Sequence, residues 1–336
     1  MNELEVNFNE IVQMIETRRN NAYRKVNEEL ISLYWDFGKY ISEKIEKEKW
    51  GTKIVDKLVD FIKQNYPNLK GFNRRGIYRM KQFYETYKDN SIVSPLVTQL
   101  SWSNNLIILS STKSIQEKEF YIKMCLKNNY TKRELDRQIS SGYYERYMLS
   151  MEKNLPTTLK TIDEDDYPNT KFLDTYSLEF LDLPENFSEK DFRSSIIKNL
   201  KKFILEIGSD FSFMGEEYRV QVGNHDYFID LLFYNRELSC LVAFELKIGE
   251  FKPEYISKMD FYLEALDKLE KKQAENPSVG IILCSNKDEE VVEFAMSRSM
   301  SPTLVAEYEL KLINKDLLKH KLKEISELFE NNTEIS

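Results

Sequence analysis

The sequence is poor in histidine, cysteine, glycine and proline, and each shortage removes a class of function. Two histidines, His225 and His320, are too few for a His-rich zinc site and give no support to a His-based catalytic triad. Three cysteines at wide spacing, Cys125, Cys240 and Cys284, form neither a metal framework nor a disulfide scaffold and suit a reducing, cytoplasmic compartment. Ten Gly and eight Pro in 336 residues exclude collagen-like and low-complexity chains. No run approaches the roughly 20 uncharged apolar residues of a membrane helix, so no membrane partner is expected. The opening MNELEVNFNE has neither a basic nor an apolar leader region, so no secretory signal is expected. No glycine-rich phosphate loop and no internal repeat is visible.

What is present is a 41% apolar chain with 20 Tyr and 20 Phe, enough for about two ordinary domains with real cores. The formal net charge of −8 argues at first against a nucleic-acid partner. Its distribution reverses that argument. Residues 1–150 hold 25 Lys/Arg and 19 Asp/Glu, a net of +6, and residues 151–336 hold 23 and 37, a net of −14. The densest basic run is Lys63, Lys70, Arg74, Arg75, Arg79 and Lys81, with no acid between. A second cluster contains Lys123, Lys127, Lys132, Arg133 and Arg137. The stretch 151–170, with two prolines and the acidic group Asp163–Asp166, reads as a linker.

Three- and four-residue apolar spacing predicts helices over 8–18 and 22–48, then 52–65, 74–87, 103–110, 114–127 and 131–147. Asn73 is placed as an N-cap, and Thr131 with Glu134 as a capping box. Helix, short turn and basic helix over 52–87 outline a helix-turn-helix, in which Arg and Lys reach phosphates and base edges. The same pattern also fits a plain helical hairpin with a solvated face. Trp102 is expected to anchor the helical core, with base stacking as the alternative.

After residue 170 the period changes. Ser188 caps a helix to about Ile207, and strands are predicted over 218–222, 227–234 and 240–247, joined as a meander by turn residues. A helix (253–268), a strand (279–284), a helix (287–297), a strand (303–310) and a last helix (314–330) complete a mixed α/β sheet flanked by helices. Asp230 interrupts the apolar strand YFIDLLFY, and Glu245 and Lys247 end LVAFELK. Buried strand carboxylates are costly unless paired, hydrogen-bonded or metal-bound. A hairpin brings Asp230 towards Glu245 and Lys247, which share a face. Two carboxylates and a lysine make a hard-oxygen site for Mg²⁺, or else a same-face ion pair of small worth. His225 is read as a turn residue, Tyr262 as packing, and Cys240 and Cys284 as inert buried thiols.

At these residues the sequence resembles a known family. GNHDYFIDLLFYNRELSCLVAFELKIGEFKPEYISKMDFYLEALD (223–267), PSVGIILCSNKDEEVVEFAM (277–296) and TLVAEYEL (303–310) are similar to the YhcG-like nucleases of the PD-(D/E)xK superfamily. The first half also resembles that family's N-terminal domain, at VNEELISLYWDFGKYI, GFNRRGIYRMKQFYETY, QLSWSNN and SGYYERYML. The resemblance implies a restriction-endonuclease-like mixed sheet flanked by helices, preceded by an all-α, helix-turn-helix-like domain. It implies Mg²⁺ (or Mn²⁺) and phosphodiester cleavage, with DNA as partner. Asp230 and Glu245 match the metal-binding acids and Lys247 the catalytic lysine. Relatives offer a glutamate where Arg193 stands, with Glu189 and Asp191 nearby here. They have Asn or Gln at Asp260 and His at Asn104. Glu189 and Asp260 are therefore the expected accessory acids.

The combined expectation is an all-α domain over 1–150 for DNA binding or oligomerisation, a linker over 151–170, and a nuclease-like domain over 171–336 with a C-terminal helix. Arg74, Arg75, Arg79, Lys81, Lys132 and Arg133 are the expected nucleic-acid contacts. The expected enzyme is a Mg-dependent endonuclease acting in defence, DNA repair or recombination, or mobile-element biology, and a homodimer, since cutting a duplex needs two sites or two visits. Two other readings stand beside it. One is a catalytically lapsed nuclease fold serving as a DNA-binding or assembly module. The other is a helical interaction partner without nucleic acid.

Overall fold

The structure, a computed structural model, describes residues 3–48, 52–152, 172–299 and 301–323. It divides into two compact units, one ending at Ile139 and the next beginning at Ser140. The sequence reading ended the helical domain at 150, and Gly142 lies just past the division between the two units. Gly142 (φ +66°) breaks what the periodicity predicted as one helix over 131–147. A Cβ there would stand 2.8 Å from Leu318 Cδ1, so the turn admits only glycine without rearrangement. Most of the expected linker, 153–170, lies outside the described residues, as does the last helix beyond residue 323.

The first unit is all helix: α1 (Glu3–Glu48), α2 (Thr52–Asn65), α3 (Arg74–Tyr87), α4 (Val93–Val97), α5 (Trp102–Ser111), α6 (Ile115–Asn128) and α7 (Lys132–Ser140). Residues 8–18 and 22–48 do not form two helices. They form one helix of 46 residues, because Arg19-Asn20-Asn21 contains neither Gly nor Pro to stop it. The basic helix α3 runs as predicted, with the Asn73 side chain accepting from the Gly76 N–H at 2.9 Å. Its buried face is Ile77, Met80, Phe83 and Tyr87. It lies so close to α1 that a Cβ on Gly38 would meet the Met80 carbonyl oxygen at 2.1 Å. Trp102 packs on Tyr34 (4.7 Å between ring centroids) and Phe83 (5.3 Å), so it anchors this core. Thr131 and Glu134 form the expected reciprocal cap of α7.

The second unit opens with α8 (Tyr143–Glu152) and holds a six-stranded sheet of order β1-β6-β5-β4-β3-β2. The strands are β1 (Thr175–Ser177), β2 (Phe211–Val222), β3 (His225–Asn235), β4 (Cys240–Leu246), β5 (Val279–Cys284) and β6 (Thr303–Glu309). The helices are α9 (Glu189–Lys198), α10 (Leu200–Ile207), α11 (Glu254–Leu269) and α12 (Glu289–Met296). β2, β3 and β4 form the antiparallel meander, while β4, β5, β6 and β1 run parallel. This is the mixed sheet flanked by helices that the sequence predicted. Asn199 divides the predicted helix after Ser188 into α9 and α10, and the short β1 was not foreseen. β4 and β5 are buried along their whole length, with Leu241, Ala243, Met259, Leu263, Leu266 and Ile282 in one core. Among the described residues no helix is long and apolar enough to cross a membrane.

Candidate active site

The site is built where the meander meets the parallel half of the sheet. Apolar alternation buries Ile229 and Leu231 completely and leaves Asp230 between them. The β3–β4 ladder pairs Leu231 with Phe244, so one step further along it Asp230 lies across from Glu245. Asp230 Oδ2 accepts the Leu246 backbone N–H at 2.9 Å, which fixes the carboxylate at the end of β4. Glu245 is 1% exposed. Lys247 continues the strand direction, its N–H donating to the Leu283 carbonyl at 2.8 Å.

The side chains converge. Lys247 Nζ lies 2.9 Å from Glu245 Oε1 and 3.1 Å from Glu189 Oε1. Glu189 is the first residue of α9, whose N-terminus is closed by the reciprocal Ser188–Asp191 cap. That cap fixes the backbone from which Glu189 reaches Lys247. Burial by itself would lower the pKa of the Lys247 ammonium, but its bonds and Coulomb attraction to Glu245 and Glu189 outweigh this and raise it. The lysine is a fixed cation in this arrangement.

Two contacts were not foreseen. Lys258 of α11 donates to Glu245 Oε1 and stands over the Tyr262 ring, 5.3 Å from its centroid. Its pKa too is lowered by burial and raised further by Glu245, for a net increase. Arg193 donates to Asp230 Oδ1 at 3.0 Å and to Glu217 Oε1 at 2.7 Å. Glu217 stands between Glu216 and Tyr218, which pair with Leu231 and Ile229 on either side of Asp230, and has a φ of +44°, uncommon for a residue with a side chain. Arg193 thus joins the site as a clamp on Asp230. Helical spacing carried a signal for Lys258, which precedes Tyr262 by one turn; nothing local in the sequence tied Arg193 to Asp230.

The accessory acids separate. Glu189 is in the site. Asp260 accepts from Ser299 Oγ at 2.9 Å. Tyr262 is buried and donates to the Phe228 carbonyl at 2.7 Å, a packing role. His225 is an exposed residue at the start of β3, and Asn104 is buried in the helical unit with Nδ2 donating to the Tyr130 carbonyl.

The expected DNA contacts lie on α3 and α7 of the helical unit. Arg74 pairs with Asp56 at 3.2 Å and Lys81 with Glu85 at 2.7 Å. Arg75, Lys132 and Arg133 are exposed and Arg79 is partly so, and these four have no ion-pair partner among the described residues.

The acids fit a hard divalent cation. Glu245 Oε2 is buried with no hydrogen-bond partner, a costly state for an anionic oxygen unless a cation meets it. The donors at hand, Asp230 and Glu245, are all oxygen, which suits Mg²⁺ or Mn²⁺ rather than zinc. Among the described residues no group of three or more His, Cys, Asp or Glu side chains is clustered for a metal.

Residues 169–323 match the YhcG PDDEXK nuclease domain, and residues 10–146 match the DUF1016 N-terminal domain. The chain thus joins a YhcG-type PDDEXK nuclease domain to a DUF1016 N-terminal domain. Over 335 residues it is 26% identical to the Escherichia coli (strain K12) protein named "Putative nuclease YhcG", covering 90% of this chain and 89% of that one. Among solved structures, a repair endonuclease from Pyrococcus abyssi aligns with 38% of this chain and 50% of its own at 16% identity and a TM-score of 0.27. The EndoMS–dsDNA2 complex aligns with 40% and 48% at 16% identity and a TM-score of 0.27. The YhcG-like PDDEXK domain is the unit that contains Asp230, Glu245 and Lys247.

Proposed function

We propose that the protein is a divalent-metal-dependent endonuclease that hydrolyses phosphodiester bonds of DNA. The observation that carries this reading is the buried Glu245 with an unpartnered Oε2, set across from Asp230 and bonded to Lys247. Asp230 and Glu245 would hold Mg²⁺ or Mn²⁺. The bound ion supplies a Lewis acid that polarises a phosphoryl oxygen and acidifies a water. Lys247 stays protonated and aims its charge at the negative charge that grows on the phosphoryl group. Glu189, 3.1 Å from Lys247 Nζ, holds that ammonium in position. Arg193 and Lys258 balance the two acids before a metal arrives, and can turn to phosphate afterwards. The exposed Arg75, Arg79, Lys132 and Arg133 of the helical unit would grip the duplex backbone. The enzyme would act in the cytoplasm as a homodimer, which brings two sites to one duplex, in defence, repair or recombination, or mobile-element biology.

The test is nicking of supercoiled, linear and branched DNA with Mg²⁺ or Mn²⁺ by the full chain and by Lys247→Ala and Asp230→Asn. Wild type should cleave and both variants should fail. Cleavage that persists equally in the variants overturns the site. The Arg193–Asp230 ion pair favours one second reading, a lapsed site on a DNA-binding or assembly module. It gains if wild type binds DNA with normal salt dependence and cuts none of the three substrates.

A further inference from the structure

The first half of α1 is a helix on which none of the described residues packs. Every residue from 8 to 26 is exposed except the partly covered Asn21. Phe8 is 59%, Ile15 53% and Val26 68% exposed. These are not scattered. Phe8, Val12, Ile15, Ala22 and Val26 recur at the helical period and form one stripe, with Arg19 at its only polar step. The stripe continues through Leu30 and Leu33 into the part of α1 that packs on the unit's core. A lone helix of this length is marginal in water, and an exposed apolar face of this extent marks an interaction surface.

The charges identify the occupant. From residue 3 to 16 the sequence has four glutamates and no Lys or Arg. From residue 18 to 25 it has Arg18, Arg19, Arg24 and Lys25 and no acid. The helix is thus acidic in one half and basic in the next, with the change at Thr17. A copy of the same helix laid antiparallel, crossing at that point, sets each acidic half beside a basic half. The apolar layers match as well: Phe8 meets Val26 and Val12 meets Ala22. Ile15 meets the aliphatic stem of Arg19, whose guanidinium then reaches Glu16 of the second copy. A parallel pair would stack Arg19 on Arg19 and the acidic half on itself.

We propose that residues 8–26 of α1 are the self-association surface of the protein, pairing antiparallel with the same segment of a second copy. This rests on the homodimer of the preceding section and names the surface that makes it. Such a contact is isologous and closes at two chains.

The experiment is light scattering on the full chain at micromolar concentration, with Glu16→Lys, Arg19→Glu and their equimolar mixture. Wild type should have twice the 40.0 kDa chain mass. Each variant alone should raise the dimer dissociation constant by about tenfold or more, since like charges then face each other. The mixture should recover the doubled mass, which also shows that both variants are folded. A spin label at Asn9→Cys reads the direction: about 25 Å between labels for antiparallel helices and about 10 Å for parallel ones. A monomeric wild type overturns both the dimer and this surface. A dimer that both variants leave intact overturns the surface alone, and a short label distance overturns its direction.

Discussion

The cations of the candidate site and those on the exposed faces of α3 and α7 are used in opposite ways. In the nuclease unit Lys247 and Arg193 are nearly covered, and with Lys258 each is bonded to a named carboxylate. In the helical unit Arg75, Lys132 and Arg133 are exposed and have no ion-pair partner among the described residues. A buried, paired cation has one position and one electrostatic task, and its removal leaves an uncompensated partner. An exposed cation has many positions and contributes to a field that salt can screen. The same residue type is therefore a component of a site in one half and of a surface in the other.

That contrast can be broken by measurement. The largest effect should come from the most buried cation, Arg146, which is 1% exposed and bonded to Glu206 at 2.6 Å. Glu206→Ala should cost about 3–5 kcal/mol of stability by urea unfolding of the full chain. A loss below 1 kcal/mol would mean that the Ser141 and Thr175 oxygens suffice for the guanidinium. Next, Lys247→Ala should lower single-turnover cleavage by about 10²–10³-fold and leave duplex affinity within a few-fold. The exposed set should invert this result. Arg75→Ala with Arg79→Ala should weaken duplex binding and reduce the salt slope by about two, with the cleavage rate at saturation unchanged. If that pair changes the rate and not the slope, the division between the units is wrong.

The smallest effect concerns burial itself, sampled once in each unit. Burial pushes the Cys125 and Cys240 thiols up to about 12, so at pH 8 almost no thiolate is present. Neither should react with a disulfide reagent in the native protein, and both should react on unfolding. Faster labelling of Cys125 would show that the helical unit opens more readily than the nuclease unit.

Much of the second unit could be read from residue order because its signals are local. Strand alternation, the turns after Val222 and Asn235 and the Ser188 cap each lie within a few residues. The carboxylate pair was legible for the same reason: an Asp among Phe, Ile and Leu has few innocent explanations. The clamp of Arg193 on Asp230 was not, because it spans 37 positions and depends on which way α9 faces the sheet. The break at Gly142 was missed since a lone glycine inside an apolar period is tolerated as often as it stops a helix. The continuity of α1 was missed for the converse reason: the apolar spacing lapses over Arg19-Asn20-Asn21, where only propensity, not geometry, opposes the helix.

The closeness of Gly38 to Met80 gives α1 a further meaning. The basic helix cannot slide along α1 while that carbonyl fills the place of a side chain. The same unbroken helix runs from this notch back to Thr17, 21 residues away, a rise of about 32 Å. If two copies cross at Thr17, their notches stand about 63 Å apart, near two turns of a duplex at about 34–36 Å each. If the exposed cations of α3 also hold DNA as proposed, the helix would be a ruler, and the length between Thr17 and Gly38 would set the spacing of the two grips.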